Sequence, residues 1–530
     1  MIWVCIDSIF MQKIVPVRLQ DRSPILSRLW IGYWNKMKKQ KINTGWMFFL
    51  LCTTWCLAYF PKENAYFLNQ PMQARIPSNS INDIVVFGKD LWVATGNGLA
   101  KTQDQGETWE VFTHENGLGK GSVSAIAVVE GLIWVATAYD TTTPLGTFPA
   151  GGGLSWSTDN GKTWHWIPQP VDSRDETRYK PTTTNIQNLT YDIAIVVNGA
   201  DTTVWIASFG GGLRKSCDRG KTWEVVTVDG YPFDAFGFLT HRAFSVFFDG
   251  TSLWAGTAGG IHQSLDYGKT WVTYNHQNQS HPVSGNFVVA IATQRTEERE
   301  IVWAATVNAL DSTEFRAVSK SEDNGLTWST HLAGAFAYHF AFEGSKVFVA
   351  TDQGLYYSPD YGENWTQFPP IRDVETGEAF YNGEIYSVAV DPQGGLWVGG
   401  SEGLAWTNNL GLTWRIFRSF PTPGERGGPK TYAYPNPFSP LGTHLEGRSE
   451  GYVRFQYTVT HPGGVTVRVY DSGMHLVRTV VQGKQRPHGS FSEVWDGRNE
   501  LGEVVANGVY FYRIDIGNEK PIWGKVMVIK

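Results

Sequence analysis

The chain has 530 residues, among them 57 glycines and 23 tryptophans, with aromatics at 14% and charged residues at only 18%. That length exceeds one ordinary core, and that mix fits short aromatic strands between glycine turns rather than long surface helices. Beyond residue 58 there are 36 basic against 48 acidic residues and no basic cluster, which argues against nucleic acid as a partner.

Residues 1–58 read as an N-terminal extension and export signal. Lys36, Lys38, Lys39 and Lys41 precede a largely apolar run from Trp46 to Phe60. Its fifteen residues suit a signal-peptide core and fall short of the ~20 that a membrane span needs. Small residues mark a cleavage position after Ala58 and a second after Ala65. Met37 begins a more ordinary signal peptide than Met1. The competing reading is an uncleaved N-terminal anchor; otherwise a membrane enters only through export. Cys5, Cys52 and Cys56 all fall in this region, which leaves Cys217 alone in the mature chain. One thiol builds neither a disulfide framework nor a cysteine metal site. Residues 59–77 are a lead-in.

From 78 to 418 one pattern recurs: Ser/Thr-x-Asp-x-Gly-x-Thr-Trp. It reads TQDQGETW (102–109), STDNGKTW (157–164), SCDRGKTW (216–223), SLDYGKTW (264–271), SEDNGLTW (321–328), SPDYGENW (358–365) and TNNLGLTW (407–414). The closing tryptophans lie 37 to 59 residues apart, a blade-sized period. Asp104, Asp159, Asp218, Asp266, Asp323, Asp360 and, in the seventh copy, Asn409 can accept hydrogen bonds from the turn's own N–H groups. The box glycine supplies positive φ. The box residues are therefore structural. An aromatic strand precedes each box, as in LWVAT (91–95), IWVAT (133–137) and VFVAT (347–351), and a short apolar strand precedes that one. Seven four-stranded units predict an all-β protein with a seven-bladed β-propeller.

The repeats resemble the Asp-box (BNR) repeats of sialidases, the sortilin propeller and photosystem II assembly factors. Motifs such as LWVATGNGLAK (91–101) also resemble the propellers of two-component sensors. A fold shared by hydrolases, receptors and assembly factors does not select a function among them.

Strand parity places the box turns on one face and the long insertions on the other. The insertions are 138–152 and 307–318 within blades, and 167–190, 229–242, 275–286 and 367–383 between blades. Loops on one face of a rigid scaffold are where binding concentrates. Tyr139, Arg178, Tyr179, Tyr231, Phe233, His241, Arg242, Asp373 and Tyr381 are the candidate ligand contacts. Aromatics beside charged groups suit stacking on sugar rings or docking a protein. The plainer alternative is that they pack the loops together. For catalysis, Arg75-Ile76-Pro77 resembles the Arg-Ile-Pro signature of sialidases, but no second or third arginine sits in a matching context. Glycoside hydrolysis by the xyloglucanase route would need two carboxylates across a cleft. Asp83, Asp192 and Glu384 are the candidates. Neither metal nor cofactor is expected.

SFPTPGERGGPK (419–430) is a Pro/Gly-rich linker. The alternating strands of 431–530 predict an immunoglobulin-like β-sandwich. Tyr-Pro-Asn-Pro-Phe (434–438), Trp-Asp-Gly (495–497) and Asn-Gly-Val-Tyr (507–510) resemble the FlgD-like domain. Related modules are sorting signals for type IX secretion, so the resemblance implies export, surface attachment and that machinery as a partner. The expected protein is secreted or held at a bacterial cell surface and binds a glycan or protein ligand. The alternative is a secreted glycoside hydrolase.

Overall fold

A computed structural model describes residues 75–530, except 145, 200, 375–377, 382, 425–427, 442, 445–446 and 449–450. The expected export signal and nearly all of the lead-in lie outside the described residues. The chain forms two compact units. The first holds residues up to 369 together with 383–408; the second holds 370–382 and 409–530. The cut therefore does not follow the Pro/Gly linker, because the segment ahead of the last repeat groups with the C-terminal residues.

Seven antiparallel four-stranded meanders succeed one another along the repeat region. Their inner strands are Ile81–Phe87, Ser122–Val129, Thr190–Asn198, Ala243–Phe248, Phe287–Arg295, Ala337–Glu343 and Ile385–Val390. Each inner strand lies beside the next, and the seventh lies beside the first. The result is a closed seven-bladed ring around a central channel. Every blade supplies its own four strands, so no strand is exchanged at the closure.

Tryptophan explains why the blades stack. Trp92, Trp134, Trp205, Trp254, Trp303 and Trp397 of the second strands are all fully buried. The box tryptophan of the following blade meets that indole edge-on: Trp223 on Trp134 (6.4 Å), Trp271 on Trp205 (6.2 Å) and Trp365 on Trp303 (6.0 Å). The same contact closes the ring, with Trp109 of the first blade on Trp397 of the seventh at 6.5 Å and 88°. A large apolar side chain buried this way contributes several kcal/mol, and truncating it costs about 3–5 kcal/mol.

The box turn is a small hydrogen-bonded cage. Asp159 Oδ1 accepts from the Thr163 backbone N–H (2.9 Å) and the Ser157 hydroxyl (2.8 Å), and Oδ2 accepts from the Thr163 hydroxyl (2.6 Å). The residue ahead of each box glycine is also left-handed: Gln105, Asn160, Arg219, Tyr267, Asn324, Tyr361 and Leu410 all have φ between 54° and 61°. The glycine has a second reason to be glycine. A Cβ on Gly268 would sit 2.3 Å from the Trp205 ring, and one on Gly362 would sit 2.4 Å from Trp303.

One insertion is not a loop. Residues 138–152 extend the second and third strands of blade two into a long hairpin, Leu132–Thr143 with Gly146–Ser157, and the ladder continues to Thr143 opposite Gly146.

In the second unit a three-stranded sheet (Thr431–Tyr434, Val453–Val459, Gly489–Trp495) accompanies a four-stranded one. The latter runs in the order Leu476–Arg486, Gly463–Tyr470, Gly508–Ile516, Ile522–Val528. Burial alternates along Gly463–Tyr470, where Val465, Val467 and Val469 join Val453, Phe455, Tyr457 and Val459 in one core. This is an immunoglobulin-like sandwich. Segment 370–382 is built into this unit. Glu378 accepts from Arg454 (3.3 Å) and the Ser492 hydroxyl (2.7 Å), and the buried Arg454 lies over the Tyr381 ring at 5.2 Å.

Candidate functional site

Two pairs of insertions on the first unit are knitted together by polar contacts. In the first pair, Arg214 donates through both terminal nitrogens to Asp172, at 2.7 and 2.8 Å. Asp172 also accepts from the Thr182 N–H (2.8 Å) and the Tyr179 hydroxyl (3.2 Å). Burial works to raise this carboxyl, yet the Arg214 guanidinium and these donors hold it below its ordinary range. Lys180 crosses to 229–242 by pairing with Asp234, and its N–H donates to the Phe233 carbonyl (2.9 Å).

Within 229–242 the backbone is pinned from inside. His241 Nδ1 accepts from the Asp234 N–H at 2.9 Å, which puts the ring proton on Nε2, where it donates to Asp229 Oδ1 at 3.0 Å. Arg242 donates to the carbonyls of Ala235 (2.6 Å) and Phe236 (3.1 Å). With its polar groups so engaged, the loop turns aromatic rings outward. Tyr231 is 60% exposed, Phe236 57% and Phe238 38%, and Tyr231 and Phe238 stack at 5.6 Å with only 4° between their planes. This is a preformed aromatic platform.

In the second pair, buried Glu314 accepts from the Asn286 N–H (3.2 Å) and side chain (2.8 Å) and from Gln277 (3.2 Å). That joins 275–286 to 307–318, which exposes Leu310 and Phe315. Each pair is braced by these polar contacts and leaves apolar side chains to solvent. Such patches mark contact surfaces.

The candidate contacts divide accordingly. Tyr231 is on the platform. Phe233 and His241 are buried beneath it, stacked at 5.6 Å, and Tyr179 meets Phe233 edge-on at 6.1 Å, so these three pack the loops rather than face a ligand. Arg178 is exposed but bonded to Glu176 at 2.7 Å, and Arg242 is the brace described above. Tyr139 lies on the hairpin under the Lys120 ammonium (4.6 Å) and accepts from Asn185. Beside it, burial pushes Asp140 up to about 6. Asp373 is buried in the second unit, and Tyr381 packs there on Tyr452 at 5.2 Å. Neither belongs to the described loops of the first unit. Phe238 escaped the sequence reading, since nothing in its neighbourhood announces a partner seven residues away.

Beneath this face the starts of the inner strands share one irregularity. Every inner strand carries a bulge near its start, at Asn82, Ser124, Tyr191, Phe244, Val289, Tyr338 and Tyr386. The last five are buried and form one cluster, with Tyr191 on Phe244 at 5.4 Å and Tyr338 on Tyr386 at 5.5 Å. Asp83 and Asp192 come one residue past this aromatic plug, and the Asp83 side chain keeps 20% of its surface accessible beside His339. Glu384 accepts from the Tyr386 hydroxyl at 2.9 Å. Among the described residues no cluster of His, Cys, Asp and Glu could hold a metal ion, and no helix is long and apolar enough to cross a membrane.

The comparisons with known proteins follow this division. The FlgD Ig-like domain family matches residues 442–519, and the two-component regulator propeller family matches residues 382–402. No curated protein matches the chain. Among solved structures the chain is similar to a GH74 enzyme of Niastella koreensis, at 14% identity over 86% of this chain and 74% of that one, with TM-score 0.49. It is similar to the extracellular domain of the hybrid two-component system BT3049 of B. thetaiotaomicron, at 12% identity over 86% of this chain and TM-score 0.44. There the chain spans just over half, 56%, of the other's length. It is also similar to PorZ, a surface component of the type IX secretion system of Porphyromonas gingivalis, at 12% identity over 85% and 75% of the two chains, with TM-score 0.34. What the chain carries is a propeller with a two-component-regulator-type repeat and a FlgD Ig-like domain.

Proposed function

We propose that this is an exported bacterial surface protein whose propeller binds a glycan or protein ligand on the insertion face. The C-terminal unit serves export or surface attachment, with the type IX machinery as its partner. One observation carries the reading: Tyr231, Phe236 and Phe238 stand exposed on a loop whose polar groups are already bonded internally. Rigid aromatics of that kind contribute contact area without the entropy cost of ordering a loop on binding. The hydrolase reading has less support, because Asp83 and Asp192 lie behind the aromatic plug.

The test is a screen of the full chain against polysaccharides and surface-protein extracts, reading both retention and released sugar. The Tyr231→Ala, Phe236→Ala, Phe238→Ala triple variant is expected to lose roughly tenfold or more in affinity while its unfolding midpoint stays near wild type. Retention untouched by the triple variant would move the site off the platform. Released sugar that vanishes in Asp83→Asn or Asp192→Asn would replace binding with hydrolysis.

A further inference from the structure

Three neighbouring strands of the second unit, Gly463–Tyr470, Gly508–Ile516 and Ile522–Val528, turn alternate residues into the sandwich core and the others away from it. Val467, Tyr512 and Val526 go inward. Outward, the register lines up two rows: Arg468 beside Arg513 beside Trp523, and Tyr470 beside Phe511 beside Lys525. A sheet face that meets only water carries polar residues. Here Trp523 is 45% and Met527 43% exposed.

The two rows are tied together. Tyr470 and Trp523 lean over the middle strand until their ring centroids are 5.6 Å apart, and the Arg513 guanidinium lies 5.8 Å from the Trp523 ring. Asp515 Oδ1 accepts from Arg513 at 2.7 and 2.8 Å, and Oδ2 accepts from Arg468 at 3.2 Å. The charged residues of the three strands are Arg468, Arg513, Lys525 and Asp515, three cations against one carboxylate. The face is therefore positive, in a chain whose residues beyond 58 hold 48 acidic against 36 basic side chains.

Charge complementarity calls for an acidic partner. The rings favour a peptide over a sugar. Tyr470 and Trp523 are tilted by 42° and offer no flat stacking surface, unlike Tyr231 and Phe238 at 4°. Phe511 and Met527 have no polar tip to meet hydroxyls, whereas aromatic, Met and Arg side chains are those that protein contacts enrich. Size decides the rest. Three strands about 4.8 Å apart and about seven residues long cover roughly 300 Å², against ~800 Å² on each side of a standard protein interface. That is room for a short segment rather than a folded surface. A second copy meeting the face about a two-fold axis would also set arginine on arginine.

We propose that this sheet face docks a short acidic peptide segment that bears an aromatic side chain. Its carboxylates pair with Arg468, Arg513 and Lys525 while its ring packs on Trp523. The site stands independently of whatever the aromatic platform of the first unit binds.

The test is the binding of a fluorescein-labelled poly(Glu,Tyr) copolymer to the full chain at about 50 and about 300 mM salt, read by anisotropy beside labelled polygalacturonate. The copolymer is expected to bind at the lower salt, to weaken several-fold at the higher, and to bind more tightly than polygalacturonate. Trp523→Ala and Lys525→Glu are each expected to weaken it roughly tenfold with unfolding midpoints near wild type. If Trp523→Ala does not fold, Lys525→Glu carries the test. The Tyr231→Ala, Phe236→Ala, Phe238→Ala variant must bind the copolymer as wild type does. No binding at the lower salt, binding that the sheet variants retain, or a loss seen only in the platform variant would overturn the proposal. Tighter binding of polygalacturonate would also overturn it, and would give the face to an acidic polysaccharide.

Discussion

Asp159 and Asp218, in box turns on the rim, are held at about 2, whereas Asp192, in the channel, is pushed up to about 7. The rim pair owe their shift first to the Thr163 and Thr222 hydroxyls and then to the backbone N–H groups of the same residues. Asp192 is also hydrogen-bonded, yet burial outweighs its donors. The number of donors therefore does not set the charge state here. What decides is whether water can still solvate the far side of the carboxylate. The same side chain is therefore a charged staple at the rim and a carboxyl raised by burial in the channel.

Substitutions at the box turns test this contrast. The largest effect is expected from Gly268→Ala, which leaves every box carboxylate in place. Its Cβ would meet the Trp205 ring at 2.3 Å with φ at 81°, a cost of roughly 3–5 kcal/mol. Gly88→Ala is the control. There φ is 60° and nothing lies within 4 Å, so about 1 kcal/mol is expected. Chemical denaturation of both variants measures the difference, and equal losses would show that the box is fixed by its carboxylate alone. Next comes Asp218→Ala, which should lower the unfolding midpoint at pH 7 and lower it less near pH 2. A depressed folded-state value makes the staple's contribution present above about 4 and lost as pH falls toward 2, opposite in sign to the channel. The smallest change is expected from Asn409→Asp, which restores the repeat's usual residue. Asn409 already accepts from the Thr413 N–H at 3.0 Å, so a gain of no more than ~0.5 kcal/mol should appear by calorimetry.

The ring was legible in the sequence because the box keeps its Gly and Trp in all seven copies and Asp as acceptor in six, with Asn409 in the seventh. The left-handed residue before the glycine was not, since Gln105, Arg219, Tyr267 and Leu410 share no chemistry and the turn imposes their backbone. The bulges were hidden for a similar reason. Asn82, Ser124, Tyr191 and Val289 occupy equivalent places with nothing in common, so the plug was not visible. On the insertion face, composition located the aromatic loop but could not tell Tyr231, which faces out, from Phe233, which faces in. That choice belongs to the His241 and Asp229 hydrogen bonds. Nor could it foresee that 370–382 joins the second unit, which depends on Arg454, far along the chain, meeting Glu378.

A ring that exchanges no strand at its closure treats the join between its first and last blades like any other. Trp109 meets Trp397 just as Trp223 meets Trp134, so each repeat is a whole tile rather than a split one. Duplicating or deleting one reading of the box, with its three preceding strands, adds or removes a complete blade without orphaning a hydrogen-bonded edge. New termini could likewise be cut between any two blades and the old ones joined. For a lineage that changes its partners, such a chain is a modular frame in which the number and order of tiles are free to drift.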